Sequence, residues 1–95
     1  MTTPESKVKK AVSKILDAHE IYYFYPSTHG YGRSGVPDII ACHNSIFLAI
    51  ECKAAKGKTT ALQDREIRRI RQSGGWAFVI NETNINELTE YLNGI

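Results

Sequence analysis

Residues 35–53 read GVPDIIACHNSIFLAIECK, two apolar, β-branched runs separated by a short polar segment. Runs of this length and composition are typical of β-strands, and the polar segment is short enough for a hairpin turn. If Asn44-Ser45 forms a two-residue turn, the flanking residues pair, and counting back along both strands places Asp38 directly opposite Glu51. The sequence therefore predicts a hairpin with two carboxylates side by side at its open end.

Opposed carboxylates on one sheet face predict a cation between them. Directly paired residues of antiparallel strands have Cβ atoms about 4.5–5.5 Å apart, and two carboxylates so placed repel by roughly 3 kcal/mol at an effective dielectric near 20. A divalent cation such as Mg²⁺ turns that repulsion into attraction. Strand alternation places Lys53 on the same face as Glu51, where its ammonium group could orient or deprotonate a water or bind a phosphate oxygen. The Cys52 carbonyl is a further candidate oxygen ligand, and a β-bulge would break this register.

Periodicity and turn signals elsewhere predict three helices and four strands in the order αβββαβα. Such an order predicts a mixed sheet with helices packed on it, in a single domain over residues 1–95. The first predicted helix begins at residues 2–4 and ends near residue 19, and the other two span about 60–73 and 84–93. The predicted strands span 21–25, 38–42, 46–53 and 76–80.

Composition excludes several classes of protein. The N-terminus MTTPESKVKK has no apolar region of a secretion signal, and no apolar run approaches the ~18 residues of a membrane span. Cys42 and Cys52 are expected as reduced, buried strand residues, and no spacing indicates structural zinc. These features predict a cytoplasmic protein, in the host cytoplasm if the source is viral. The net charge of +2 neither demands nor excludes nucleic acid.

The two hairpin strands also carry a family resemblance. Pro37-Asp38 followed by Glu51-Cys52-Lys53 resembles the PD-(D/E)XK nuclease signature, and the wider string GVPDIIAC…FLAIECKAAKGKTTALQ is similar to the virus-type replication-repair nuclease family, VRR-NUC. The resemblance covers about residues 5–80. It implies a restriction-endonuclease-like αβββαβ core with a C-terminal helix, and a DNA endonuclease that uses Mg²⁺, with Mn²⁺ as a substitute.

The resemblance adds Glu5 on the first helix and Gln63 on the second to the catalytic set. Both fall on helix stripes that face the sheet, where Glu5 would support the hydration shell of the metal and Gln63 would orient the water or ligands. Capping boxes with Thr2 and Thr60 are the alternative roles. The implied catalytic residues are Glu5, Asp38, Glu51, Lys53 and Gln63, and the implied metal ligands are Asp38, Glu51 and the Cys52 carbonyl.

Two nucleotide-binding patterns occur but lack their structural context. Residues 30–35 match G-x-G-x-x-G, yet a strand follows where a dinucleotide site needs a helix. Gly57-Lys58-Thr59 resembles the end of a P-loop, but the first glycine of that motif would stand at Cys52. No nucleotide cofactor is predicted.

Basic residues cluster around the proposed site and suit a sugar-phosphate backbone. A solvated helix face is the alternative for the arginines. Stand-alone relatives are similar to Holliday-junction-resolving homodimers, which implies branched DNA as substrate, with the aromatic strand 22–25 and the last helix as candidate interfaces. Flap or nick processing, a sequence-reading restriction-type enzyme and an idle DNA-binding subunit remain alternatives. The predicted DNA contacts are Arg33, Lys56, Lys58, Arg65, Arg68 and Arg69.

Overall fold

The computed structural model describes residues 3–27 and 32–94. The predicted start signal at Thr2 and the first glycine of the 30–35 motif lie outside these ranges. Within them, the predicted order αβββαβα is confirmed. The elements are α1 (Pro4–Ala18), β1 (Tyr22–Phe24), β2 (Ile39–His43), β3 (Ile46–Cys52), α2 (Ala61–Gln72), β4 (Trp76–Ile80) and α3 (Ile85–Asn93).

The four strands form one mixed sheet in the order β1-β2-β3-β4. The pairs β1/β2 and β2/β3 are antiparallel, whereas β3/β4 is parallel because α2 returns the chain to the same end of the sheet. Asn44 and Ser45 have φ values of 50° and 69°, which define a two-residue turn of type I′. The β2/β3 register pairs His43 with Ile46 and Ile39 with Ile50, so the predicted hairpin register is confirmed.

The two faces of the sheet are covered unequally. One face packs against α1 and α3 and holds the main core, which includes Leu16, Leu48, Ile50 and Leu88. The other face packs against α2 through a smaller cluster centred on Ile67. Because α2 contacts mainly β4, the part of this second face over β1 and β2 is left largely open.

The cysteine prediction is half right. Cys52 is buried, but Cys42 is exposed, because its side chain lies on the face over β2 that α2 does not cover. In the described ranges, no helix is long and apolar enough to cross a bilayer.

Candidate active site

Asp38 lies one residue before β2 and is anchored across the hairpin. Its Oδ2 atom accepts a hydrogen bond from the Cys52 N–H at 2.9 Å. The regular pairing ends at Ile39 and Ile50, so the predicted opposition of Asp38 and Glu51 continues the register by one position beyond the strand. The other oxygen, Oδ1, lies 4.0 Å from the Nζ atom of Lys9 on α1. Asp38 is therefore held by one backbone donor and faces one cation.

The Cys52 carbonyl, the predicted backbone ligand, lies at the end of the β2/β3 hairpin. The Lys53 N–H donates to the Ile80 carbonyl on β4 at 2.9 Å. Since backbone groups of successive strand residues point to opposite sides, the Cys52 carbonyl points toward β2. The observed register ends at Ile39 and Ile50; continued by two positions, it would place Pro37, which has no N–H to donate, opposite Cys52. The role of this carbonyl oxygen as a metal ligand stays a prediction.

Glu51 is a buried carboxylate with an incomplete set of partners. It is 2% exposed, and its Oε1 atom has no hydrogen-bond partner. The Nζ atom of Lys53 lies 3.7 Å from Oε2. Burial, and next the charge of Asp38, raise the pKa of Glu51 from 4.5 to about 7, although Lys53 opposes the rise. A buried, unsatisfied carboxylate of this kind is uncommon outside functional sites.

These residues fit a hydrated Mg²⁺ better than a closed protein cage. Within residues 3–27 and 32–94, no three His, Cys, Asp or Glu side chains converge to hold a metal. Mg²⁺ characteristically binds one or two carboxylates and keeps several waters. Asp38 and Glu51 would supply two carboxylates and Cys52 a carbonyl oxygen. The unpartnered Oε1 of Glu51 is the atom whose missing interaction a cation would provide.

The structure places the two helix residues differently from the predicted core-facing stripes. Glu5 is exposed in the first turn of α1, because the buried positions of that helix begin at Val8. Its charge nevertheless contributes to raising the pKa of Glu51. Thr3 and Ser6 form a capping box at the start of α1, whereas the suggested box with Thr2 lies outside the described residues.

Gln63 is half-buried and forms the capping box with Thr60 that the sequence left open as its alternative role. Its Oε1 atom accepts from the Thr60 N–H at 2.9 Å, and its own N–H donates to the Thr60 hydroxyl at 3.2 Å. The side chain thus caps α2 in this structure, and its catalytic role stays a prediction.

Comparisons with known proteins decide the family. The family model described as "Archaeal holliday junction resolvase (hjc)" matches residues 25–89, which include β2, β3 and α2. The chain belongs to this resolvase family. It is 31% identical over 90 residues to "Putative nuclease p44" of Acyrthosiphon pisum secondary endosymbiont phage 1, covering 94% of each chain.

Solved structures confirm the fold of this resolvase-family chain. It is similar to a "VRR_NUC domain" with a TM-score of 0.79 and 26% identity, covering 94% of this chain and 97% of that one. A "VRR_NUC domain protein" shares the fold at a TM-score of 0.72 and 18% identity, covering 98% and 91%. The VRR-NUC resemblance is thereby confirmed, and membership of the family places the chain among the DNA-cleaving nucleases.

The predicted DNA contacts of this resolvase-family nuclease differ in their surroundings. Lys56, Lys58, Arg68 and Arg69 are exposed. Arg33 is engaged with the carboxylate of Glu66, at 2.8 Å from Nε and 2.7 Å from Nη2. Arg65 lies 3.6 Å from the same carboxylate.

Sequence reasoning missed Lys9 and Glu66. Lys9 follows Glu5 by four residues, and residues with this spacing share a helix face, so the proposed role of Glu5 already contained the signal for Lys9. Glu66 carried no comparable signal, because its partner Arg33 is 33 residues away in the chain.

Proposed function

We propose that the protein is a metal-dependent, structure-specific DNA endonuclease that acts as a homodimeric Holliday-junction resolvase. One observation carries the proposal: Glu51 is buried with an unpartnered oxygen at the end of the hairpin, where the charge of Asp38 also acts on it. A fold that tolerates this arrangement without a ligand loses stability, so a bound cation is the simplest reason to retain it.

The metal would be Mg²⁺, with Mn²⁺ as a substitute, held by Asp38, Glu51 and the Cys52 carbonyl. Bound there, it would supply Lewis-acid stabilisation of charge on the phosphate and the leaving oxygen. The chain's own groups orient the reaction. Lys53 is mostly buried beside Glu51, where its ammonium group can hold an attacking water or a phosphate oxygen. Glu5, exposed at the start of α1, can hydrogen-bond metal-bound water.

Branched DNA is the proposed substrate, bound through its phosphates. The exposed basic residues lie on the loop before α2 and on α2 itself, and nothing in the described residues resembles an element that reads bases in a groove. Recognition would then depend on the shape of the DNA. Two identical active sites in a two-fold dimer match the symmetry of a four-way junction.

The open part of the sheet supports a dimer surface on the aromatic strand. Tyr22 and Phe24 of β1 are exposed, and Phe47 of β3 is exposed on the same face. Solvent-exposed aromatic groups that adjoin one another are characteristic of protein interfaces. The last helix has no such support, because Leu88 and Leu92 are buried against the main core. The cytoplasmic location remains a prediction.

Cleavage of defined DNA structures tests the proposal. Four-way junction, flap, nicked duplex and linear duplex are incubated with the protein in Mg²⁺ or in EDTA, and Lys53→Ala serves as the matched inactive control. We expect symmetric cuts in the four-way junction in Mg²⁺ alone. Preferred cutting of the flap or the nick would show that the protein processes those structures instead. DNA binding without cleavage would show that it is an idle DNA-binding subunit.

Sedimentation at micromolar concentration tests the dimer separately. We expect the wild type to sediment as a dimer and the double variant Phe24→Ser/Phe47→Ser to sediment as a monomer. A wild-type monomer would contradict the homodimer, while leaving the metal-dependent cleavage to be judged by the first experiment.

A further inference from the structure

Arg33 and Glu66 form a bidentate ion pair between a loop and a helix. The Nε and Nη2 atoms of Arg33 donate to the two carboxylate oxygens of Glu66 at 2.8 and 2.7 Å. The Glu66 side chain on α2 is only 7% exposed. The hydrogen bonds from Arg33 lower the pKa of Glu66, so the pair stays ionised. Two parallel charge-assisted hydrogen bonds also set the orientation of the two groups.

The segment that begins at Arg33 leads directly to Asp38 and is fastened at two further points. Gly35 has φ +79° and lies so close to α2 that an added Cβ would be 2.6 Å from the Leu62 carbonyl carbon and 2.9 Å from the Gln63 nitrogen. At its end, Asp38 accepts the hydrogen bond from Cys52. The loop therefore lies against the first turns of α2 and then meets β3.

We propose that the Arg33–Glu66 pair is a clamp that positions Asp38 against Cys52, and that neither residue contacts substrate. Asp38 lies outside the regular strand, so β2 pairing does not hold it directly. The clamp supplies the restraint on its N-terminal side. The same helix carries Gln63 one turn before Glu66, so the clamp also sets the distance between α2 and the hairpin. This inference rests on the proposed function only in treating Asp38 as a metal ligand.

The clamp gives Arg33 a role other than the predicted phosphate contact. A guanidinium group with two of its donors committed to a buried carboxylate is a poor counter-ion for a mobile phosphate. Glu66, in turn, needs the arginine, because a buried carboxylate that loses its partner is destabilised. Arg65 lies farther from it, at 3.6 Å, and belongs to the same helix, so it cannot tie the loop down.

Amide hydrogen exchange in EDTA tests the clamp without metal, DNA or activity. The Cys52 N–H reports the position of Asp38, and the Leu48 N–H within the same hairpin reports general unfolding. We expect Arg33→Ala and Glu66→Gln each to accelerate exchange at Cys52 relative to Leu48 by about tenfold, because each variant removes one charge-assisted restraint. The exposed Arg68→Ala on the same helix is the control and should leave the ratio within about twofold.

Two rescue variants separate positioning from a general structural role. Arg33→Lys keeps the charge but loses the planar fork, so only partial restoration is expected. Arg33→Glu combined with Glu66→Arg reverses the pair and should restore the exchange ratio more fully than either single reversal. An unchanged Cys52-to-Leu48 ratio in Arg33→Ala would overturn the clamp.

Binding measurements then distinguish the clamp from the proposed function. Arg33→Ala should weaken Mn²⁺ binding by about tenfold in calorimetry and change junction affinity in EDTA by less than about twofold. Reduced junction affinity with normal Cys52 exchange would make Arg33 a DNA contact and refute the clamp. If the wild type took up no Mn²⁺, the metal proposal would fail, whereas the exchange ratio would still decide the clamp.

Discussion

Glu51→Gln should stabilise the metal-free protein while it abolishes cleavage. Glu51 is 2% exposed, and burial followed by the charge of Asp38 raises its pKa from 4.5 to about 7. The folded chain therefore resists ionisation of this residue, whereas the unfolded chain ionises it freely. A glutamine of nearly the same shape removes the charge that the fold has to bury.

The size and the pH dependence of the stabilisation expected for Glu51→Gln follow from the raised pKa of Glu51. Between pH 4.5 and 7 the folded protein binds a proton that the unfolded chain has released, so the free energy of unfolding falls as the pH rises through this interval. A pKa raised from 4.5 to about 7 lowers the free energy of unfolding by about 3 kcal/mol above pH 7. In a domain of this length, that difference is roughly 12–24 °C in Tm. The stabilisation of Glu51→Gln should be near zero at pH 4 and complete by pH 8.

Thermal unfolding in EDTA from pH 4 to 8.5 provides the measurement. Glu87→Gln, which removes an exposed carboxylate from α3, is the matched control and should track the wild type. Added Mn²⁺ should raise the Tm of the wild type but not of Glu51→Gln, because the ion binds only the folded, intact site. The reasoning is refuted if Glu51→Gln is less stable than the wild type at pH 8, or if their difference does not change with pH.

Three further substitutions test separate parts of the site. Lys53→Ala should abolish cleavage and leave Mn²⁺ affinity largely intact; cleavage at the wild-type rate would contradict its role. Gly35→Ala should lower the free energy of unfolding, measured in urea, by at least about 2 kcal/mol, because a Cβ has no room against α2. Gly32→Ala is the control: Gly32 also has a positive φ but has open space around it, so this variant measures the backbone cost alone. Pro37→Ala should weaken Mn²⁺ binding about fivefold in calorimetry, since the new N–H can donate to the Cys52 carbonyl; unchanged affinity would argue against that carbonyl as a ligand.

The pairing of β2 with β3 was predictable because hairpin register is a local property. A two-residue turn and the strict alternation of a strand determine which side chains face each other, and both can be counted along the chain. The same holds for the order of the elements and for the shared face of Glu51 and Lys53. Gln63 was ambiguous because its spacing from Thr60 satisfies a capping box as well as a core-facing stripe.

Tertiary structure alone decided how the parts of the site are held together. No periodicity connects Arg33 with Glu66, which the fold brings into bidentate contact across 33 positions. Helical spacing could not show that burial along α1 begins only at Val8, which leaves Glu5 exposed. The sequence by itself determined which residues meet across one hairpin, because those contacts depend on local geometry. The surroundings of the loop and of α2 depend on contacts between distant segments, whose positions only the packed chain defines.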